Sequence, residues 1–242
     1  MTIGLRLAAF NIAHGRGLDR KVSLDRTASV IRRMNAHVVC LQEVDRHFGE
    51  RSDNLDQALE LSRALDMQVV YGASLTRSPR SGRPREYGNA ILSHLPILNH
   101  ELHPLPGSSE YESRSAQRVL IELDGGALWV VNTHLSHESA GDRAAQARAV
   151  RTLVDDDMGT AVIAGDFNAD NDAPELSALS DLRDAWTECG RGDGCTHPAH
   201  RPNKRLDHVL CSAGVIPSAA HVMSSDASDH LPLLVDLLIG TP

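Results

Sequence analysis

One short stretch of the sequence places two polar side chains directly after an apolar segment. Residues 160–164 are small and apolar, and Asp166 and Asn168 follow them almost at once. Side chains two positions apart on an extended chain point the same way, so a carboxylate and a carboxamide would face one site from the end of a buried strand. The same spacing is also typical of a turn whose side chains hydrogen-bond their own backbone.

Similar polar clusters occur at four other places where strands are predicted to end. They are Phe10-Asn11-Ile12, Leu41-Gln42-Glu43, Asn132-Thr133-His134, and the pair formed by Arg205-Leu206-Asp207-His208 and Ser228-Asp229-His230. Asn, Glu and Asp supply the oxygen ligands that a hard cation such as Mg²⁺ needs. An Asp beside a His supplies an orienting group and a base that titrates near neutral pH, and a second His can donate to a phosphoryl oxygen. Each cluster alone has a purely structural explanation, but together they predict a metal-assisted phosphoester hydrolase.

Apolar periodicity predicts the elements that would carry these clusters. Strands are expected at residues 5–12, 38–42, 69–71, 89–92, 119–123, 128–133, 160–164, 206–211, 220–223 and 231–238, and helices at 24–35, 55–65, 140–154 and 174–182. Ser23 and Ser139 are suited to cap two of the helices, and Asp124-Gly125-Gly126 is a hairpin turn. Hairpins mixed with a few helices favour mixed or antiparallel sheets with the helices outside them.

Composition limits the classes of protein that the chain can represent. The 242 residues are 41% hydrophobic and 23% charged, and strand-like runs continue from end to end without a linker, so we expect one domain over residues 1–242. The net charge of −8 argues against a general nucleic-acid binder with a basic face. It leaves a nuclease open, because basic segments at residues 76–87 and 201–205 could still bind phosphate.

Several features predict where the protein is found. The first residues lack the pattern of a signal peptide, and no apolar run reaches membrane-spanning length. The four cysteines are too few and too scattered to form a disulfide framework. We therefore expect a cytoplasmic protein without a membrane partner.

Taken in order, the polar motifs resemble the endonuclease/exonuclease/phosphatase superfamily, which includes pancreatic-type deoxyribonucleases, apurinic-site endonucleases, inositol-polyphosphate phosphatases and bacterial sphingomyelinases. The matching motifs are Phe10-Asn11, Leu41-Gln42-Glu43, Gly88-Asn89-Ala90-Ile91-Leu92-Ser93, Asn132-Thr133-His134, Gly165-Asp166-Phe167-Asn168, Arg205-Leu206-Asp207 and Ser228-Asp229-His230. The resemblance runs from about residue 5 to residue 238. It implies an α+β fold class, specifically a four-layer α/β/β/α sandwich in which two packed mixed sheets are flanked by helices, with the site at one end.

The resemblance also implies roles for the residues. Glu43, Asn11 and Asp229 would hold Mg²⁺ or Mn²⁺, and Asp166 and Asn168 would position or deprotonate the attacking water. Asp207 would orient His230, which contacts the phosphate or acts as base, and His134 would hydrogen-bond the phosphate or help the leaving group. Arg118 and Asn89 are expected to bind substrate. Whether Asp166 or the Asp207–His230 pair is the base stays open.

The expected activity is that of a phosphodiesterase or endonuclease-like enzyme, with a phosphate ester, including nucleic acid, as substrate. A phosphomonoesterase acting on a sugar or inositol phosphate is an alternative. A non-catalytic binding module of the same fold would normally have lost part of the polar set, which is complete here. A serine hydrolase is disfavoured because the sequence has no Gly-x-Ser-x-Gly elbow.

Overall fold

Two six-stranded β-sheets pack face to face in the computed structural model, which describes residues 2–80, 82–154, 159–170 and 172–240. In chain order the strands are β1 (Thr2–Asn11), β2 (Val38–Arg46), β3 (Gln68–Arg80), β4 (Arg83–Ser93), β5 (Ile97–Pro104), β6 (Ser115–Leu123), β7 (Gly126–His134), β8 (Ala161–Asp166), β9 (Arg183–Asp184), β10 (Asp207–Cys211), β11 (Val215–Val222) and β12 (Leu233–Gly240). The first sheet has the order β11-β12-β1-β2-β4-β3, and the second has the order β5-β6-β7-β8-β10-β9.

Helices cover the outer faces of both sheets. Their bounds are α1 (Leu24–Met34), α2 (Gln57–Leu65), α3 (Ala140–Arg151) and the short α4 (Ala185–Cys189). As predicted, the Ser23 and Ser139 hydroxyls cap α1 and α3 by accepting from backbone amides. Apolar clusters lie between the two sheets, between the first sheet and α1 with α2, and between the second sheet and α3. The fold is thus the expected α/β/β/α sandwich. Among the described residues, no helix is both long and apolar enough to cross a bilayer.

Two parallel strand pairs at the centre of the sandwich bring the polar clusters to one edge. β1 runs parallel to β2, and β7 runs parallel to β8, so all four strands finish at the same end of the molecule. His134 is the register partner of Asp166 across β7 and β8. Asp207, which opens the antiparallel strand β10, is the partner of Asp166 on its other side.

A buried amide bridge joins the sheets just beneath this edge. Asn132 on β7 accepts from Gln42 Nε2 at 2.7 Å and donates to the carbonyls of Leu41 and Ala90, both at 2.9 Å. These atoms belong to strands β7, β2 and β4, and Asn132 and Gln42 are wholly buried. The bridge therefore connects the two sheets through specific hydrogen bonds as well as through apolar packing.

Some elements differ from the sequence-based predictions. The basic segment at 76–87, expected as a loop, belongs largely to an arm in which β3 and β4 extend beyond the sheet. The predicted α-helix at 174–182 is a shorter 3₁₀ helix, Pro174–Leu179. Strands β5 and β9 and helix α4 were not predicted. Most residues of β5 are exposed or half-buried, so its sequence lacks the alternating apolar pattern on which the predictions depended.

Candidate active site

The shared edge of the two sheets opens into a pocket of about 440 Å³. Its lining consists of four carboxylates (Glu43, Glu112, Asp166, Asp229), five imidazoles (His14, His134, His137, His197, His230) and the side chains of Arg51, Tyr87, Arg114 and Asn168. Of the predicted site residues, Glu43, His134, Asp166, Asn168, Asp229 and His230 line the pocket directly. Asn11 and Asp207 reach the same place through hydrogen bonds to members of this set. The structure thus gathers acids and imidazoles from distant parts of the chain.

A carboxylate–imidazole pair forms the back of the pocket. His230 Nδ1 lies 2.8 Å from Asp207 Oδ2, and both side chains are buried. On its other side His230 Nε2 faces Asp166 Oδ2 at 3.6 Å. Burial alone would lower the pKa of His230, but the charges of Asp207 and Asp166 outweigh it and raise the pKa to about 10. The ring is therefore held between two carboxylates that favour its protonated form.

Asp166 lies at the centre of the site because the backbone before it adopts a conformation suited to glycine. Gly165 has φ +146°, and a Cβ built there would lie 1.9 Å from the carbonyl oxygen of Thr133 on the neighbouring strand. Asp166 Oδ1 accepts from the Asn168 backbone amide at 2.9 Å, and its Oδ2 accepts from Asn11 Nδ2 at 3.0 Å. Burial raises the pKa of Asp166, which makes its carboxylate a stronger proton acceptor than an exposed aspartate.

Asn11 links two of the acids. Its Nδ2 donates to Glu43 Oε1 at 3.0 Å as well as to Asp166, and its Oδ1 accepts from the backbone amide of Ala13 at 3.0 Å. Glu43 reaches the pocket from an irregular point of β2, where the pairing with β4 shifts register and Glu43 itself has φ +57°. The hydrogen bonds of Asn11 therefore fit a residue that spaces and orients carboxylates.

Arg114 is a site residue that the sequence reasoning missed. It is only 4% exposed, and its Nη1 donates to Glu112 Oε1 at 2.7 Å. The guanidinium also contacts His134 Nδ1 at 3.2 Å and His137 Nδ1 at 3.1 Å. Since a guanidinium can only donate, Nδ1 of His134 accepts this bond. Burial and the charge of Arg114 lower the pKa of His134 well below its usual value, so this ring is neutral.

Two predicted substrate-binding residues lie away from the pocket. Arg118 points to the outer face of the second sheet, where its Nη2 donates to Glu101 at 3.2 Å and its guanidinium lies over the Trp129 ring. Asn89 is buried and donates to the Ser115 carbonyl at 3.2 Å. Side chains alternate between the two faces of a strand, and Arg118 lies on the same face as residues that pack under α3. This is why its side chain does not reach the pocket. Arg114, four residues earlier, is the arginine that reaches the site.

The pocket has the donor chemistry of a site for a hard cation. Glu43, Asp166 and Asp229 all line it. Burial raises the pKa of Glu43, and the charges of Asp166 and Asp229 raise it further against the hydrogen bond from Asn11. Such mutual repulsion is relieved by a cation, and oxygen donors are those that Mg²⁺ and Mn²⁺ prefer.

A second group of possible ligands is less suitable. One carboxylate oxygen each from Asp166 and Asp207 and a ring nitrogen of His230 lie within 4.8 Å of one another. That closeness reflects the Asp207–His230 hydrogen bond, which occupies His230 Nδ1 and one oxygen of Asp207. The described residues that best fit a cation are therefore Glu43 and Asp229, with Asp166 adjacent.

Comparison with known proteins agrees with the fold. The model of the Endonuclease/Exonuclease/phosphatase family matches residues 8–230, and the chain belongs to that family. Its members are hydrolases that act on phosphoester bonds. This confirms the family that the sequence motifs indicated.

Individual relatives span nearly the whole chain. The uncharacterized protein YbhP of Escherichia coli K12 is 24% identical over 96% of this chain and 95% of its own length. An endonuclease/exonuclease/phosphatase from Beutenbergia cavernae has a crystal structure with a TM-score of 0.83 and 28% identity, covering 98% of this chain and 72% of that one. The mannosyl-6-phosphatase Bt3783 of Bacteroides thetaiotaomicron shares the fold, with a TM-score of 0.77 and 18% identity over 96% of this chain and 99% of that one.

Proposed function

We propose that this protein is a phosphodiesterase that depends on a divalent cation, Mg²⁺ or Mn²⁺. The observation that carries the proposal is the arrangement of His230 between Asp207 and Asp166, in the same pocket as Glu43 and Asp229. A phosphodiester is an anion that repels hydroxide, and this pocket combines groups that can orient water, donate to phosphate and hold a cation.

Glu43 and Asp229 are the residues that would hold the cation, which when bound would screen the phosphate and stabilise negative charge on its oxygens. Asn11 fixes the position of Glu43 relative to Asp166 through its bifurcated amide. This assigns Asn11 a positioning role in place of the direct ligand role expected from the sequence.

Asp166 is the general base in this proposal. Asn168 and Asp166 hold the attacking water, whose oxygen bonds to phosphorus while its proton passes to the Asp166 carboxylate. The ester bond between phosphorus and the leaving oxygen breaks, and that oxygen takes a proton from solvent. His230 is held by Asp207 at Nδ1, and its Nε2, which at 3.6 Å from Asp166 is too far for a hydrogen bond to that carboxylate, donates to a phosphoryl oxygen. His134, neutral and held by Arg114 at Nδ1, contacts the Asn168 amide through Nε2 at 3.0 Å, so it positions the residue that holds the water.

The proposal is tested with bis-p-nitrophenyl phosphate as substrate in the presence of Mg²⁺ or Mn²⁺. Hydrolysis should stop in EDTA and return when the cation is restored. Glu43→Gln and His230→Asn should each lower kcat/KM by roughly 10²-fold or more, in the range typical of positioned catalytic groups. The matched controls are Glu122→Gln and His100→Asn, because both residues are exposed and lie away from the pocket.

Two further measurements make the result decisive: one of folding and one of activity on a monoester substrate. Far-UV circular dichroism must show that both site variants are folded. EDTA-resistant turnover, or site variants as active as their controls, would refute the assignment. Parallel assays on p-nitrophenyl phosphate decide between diester and monoester specificity, which is the alternative that the fold of the mannosyl-6-phosphatase makes relevant.

A further inference from the structure

Three arginines gather around one phenylalanine at the rim of the pocket. The guanidinium carbons of Arg51, Arg77 and Arg85 lie 4.1, 5.0 and 5.5 Å from the centroid of the Phe48 ring. We call these three side chains the arginine cluster. Arg77 and Arg85 come from the basic arm formed by β3 and β4, and Arg51 comes from the 3₁₀ helix Glu50–Ser52. An acidic protein with a net charge of −8 thus concentrates positive charge at one point.

Only one member of the arginine cluster is neutralised. Arg51 donates to the buried carboxylate of Asp45 from one terminal nitrogen, Nη2, at 2.7 Å and from its inner nitrogen, Nε, at 2.8 Å. In the part of the chain that the structure describes, neither Arg77 nor Arg85 forms an ion pair with a carboxylate. Arg85 uses its Nε to donate to the Phe48 carbonyl at 2.6 Å, which leaves its two terminal nitrogens available.

Several other arginines in the structure are neutralised by a carboxylate. Arg6, Arg143, Arg151, Arg183 and Arg205 are each paired with a specific Asp or Glu. Like charges that approach one another around a single ring repel, and cation–π contacts at exposed positions offset only part of that repulsion. An anion that binds both free guanidinium groups would remove it.

The arginine cluster adjoins the candidate active site. Arg51 and Tyr87 line the pocket that holds Glu43 and His230. Arg51 lies 5.5 Å from the Tyr87 ring centroid, and the Tyr87 and Phe48 rings are 6.0 Å apart. A group bound at Arg77 and Arg85 is therefore separated from the pocket by little more than one aromatic ring.

We propose that Arg77 and Arg85 form an anion subsite that binds a second phosphate group of the substrate, beside the phosphate that is cleaved. Guanidinium groups recognise phosphate through short charge-assisted hydrogen bonds. The link to turnover rests on the proposed phosphodiesterase function, whereas the binding of an anion at this subsite does not. The second phosphate could belong to a nucleic-acid strand or to a small molecule with several phosphates, and the experiment distinguishes these sources.

A matched pair of substrates tests the subsite. Thymidine 5′-(p-nitrophenyl phosphate) and its 3′-phosphorylated counterpart release the same leaving group and differ only in the additional phosphate. The wild type should show the higher kcat/KM on the 3′-phosphorylated compound. Each of Arg77→Gln and Arg85→Gln should reduce that preference by about tenfold, as expected for the loss of one hydrogen bond to a charged group. High salt should reduce the preference as well.

The controls are Arg33→Gln and Arg148→Gln, which remove exposed arginines on α1 and α3. Calorimetric titration with inorganic tripolyphosphate in EDTA measures anion binding at the subsite without turnover. If the protein binds tripolyphosphate through Arg77 and Arg85 but cleaves no substrate, only the proposed function is refuted. An unchanged substrate preference together with unchanged tripolyphosphate binding in the Arg77→Gln/Arg85→Gln double variant would overturn the subsite.

Competition separates the two sources of the second phosphate. Oligothymidylate and tripolyphosphate are compared as inhibitors at equal phosphate concentration. Stronger inhibition by the oligonucleotide, lost in the double variant, supports the subsite and assigns it to a nucleic-acid strand. Stronger inhibition by tripolyphosphate, lost in the same variant, supports it and assigns it to a small molecule.

Discussion

Replacement of Asn132 by leucine tests how the two sheets are joined beneath the site. Leucine has the same number of side-chain heavy atoms and the same branching, so the change removes hydrogen bonds without leaving a cavity. In the native protein the Asn132 side chain is fully buried and makes three hydrogen bonds, to Gln42 and to the carbonyls of Leu41 and Ala90. The variant should therefore be much less stable although no cavity is created.

The size of the effect follows from which groups lose their partner. Gln42 Nε2 keeps a hydrogen bond to the Cys40 carbonyl at 3.1 Å, so it loses only one of its two hydrogen-bond acceptors. The carbonyls of Leu41 and Ala90 each lose the bond that Asn132 supplied. Each of the three hydrogen bonds contributes about 0.5–1.5 kcal/mol, which predicts a loss of roughly 1.5–4.5 kcal/mol. That is a large part of the roughly 5–15 kcal/mol that stabilises a typical domain.

Urea denaturation followed by circular dichroism measures this loss directly. Asn99→Leu is the control, because Asn99 is an exposed residue of β5 and its replacement should change stability by less than about 0.5 kcal/mol. A loss below about 1 kcal/mol for Asn132→Leu would refute the reasoning, since the three hydrogen bonds would then contribute nothing specific to the joining of the sheets.

Three further changes have defined outcomes. Gly165→Ala introduces a Cβ into the Thr133 carbonyl at an unfavourable φ, so it should lower stability by more than about 1 kcal/mol and abolish phosphodiester hydrolysis. Arg205→Ala leaves the largely buried Asp184 without its bidentate partner and should cost about 3–5 kcal/mol at pH 7. Burial alone would raise the pKa of Asp184, but the ion pair with Arg205 outweighs burial and lowers it. The stabilisation by the pair is therefore present above the unfolded pKa of about 4 and is lost as pH falls through the folded pKa. Burial raises the pKa of Glu43, so Glu43→Gln should raise the Tm in EDTA at pH 7.5 while activity is lost.

Each of these changes has a contradicting result, and the glycine change also has a matched control. Gly4→Ala places its Cβ in open space and should be nearly neutral, and equal losses for both glycine variants would contradict the steric argument. For Arg205→Ala, a stability difference from the wild type that persists unchanged at pH 3 would contradict the ion-pair account. A lower Tm for Glu43→Gln in EDTA would show that the ionised carboxylate stabilises the cation-free protein.

The sequence predicts the central strands of the fold well and its periphery poorly. Strands β1, β7 and β8 contain continuous apolar runs because they are buried on both faces. The edge strand β5 has mostly polar and partly exposed side chains, so nothing in its composition separates it from a loop. The outer part of the β3–β4 arm was not predicted for the same reason, because its strands pair by continuing a hairpin and not through apolar side chains.

The sequence indicates which candidate residues lie together to the extent that they stand directly at strand ends. Asp166 and His134 end neighbouring parallel strands, so their approach follows from the topology once the family is known. Arg114 and Arg118 show where prediction from the sequence reaches its limit. They lie four residues apart near the start of β6, and only the three-dimensional path of the preceding loop decides which one faces the pocket.

The pairing of β1 with β12 has a consequence for synthesis of the protein. Thr2 is the register partner of Gly240, so β1 waits at the middle of its sheet until β12, which follows it far along the chain, has been made. At ribosomal rates of about 5–20 residues per second, that wait lasts on the order of ten seconds or more. During this interval one flank of β1 offers open backbone groups to other chains, so nascent forms of this protein should depend on chaperones more than its modest size suggests.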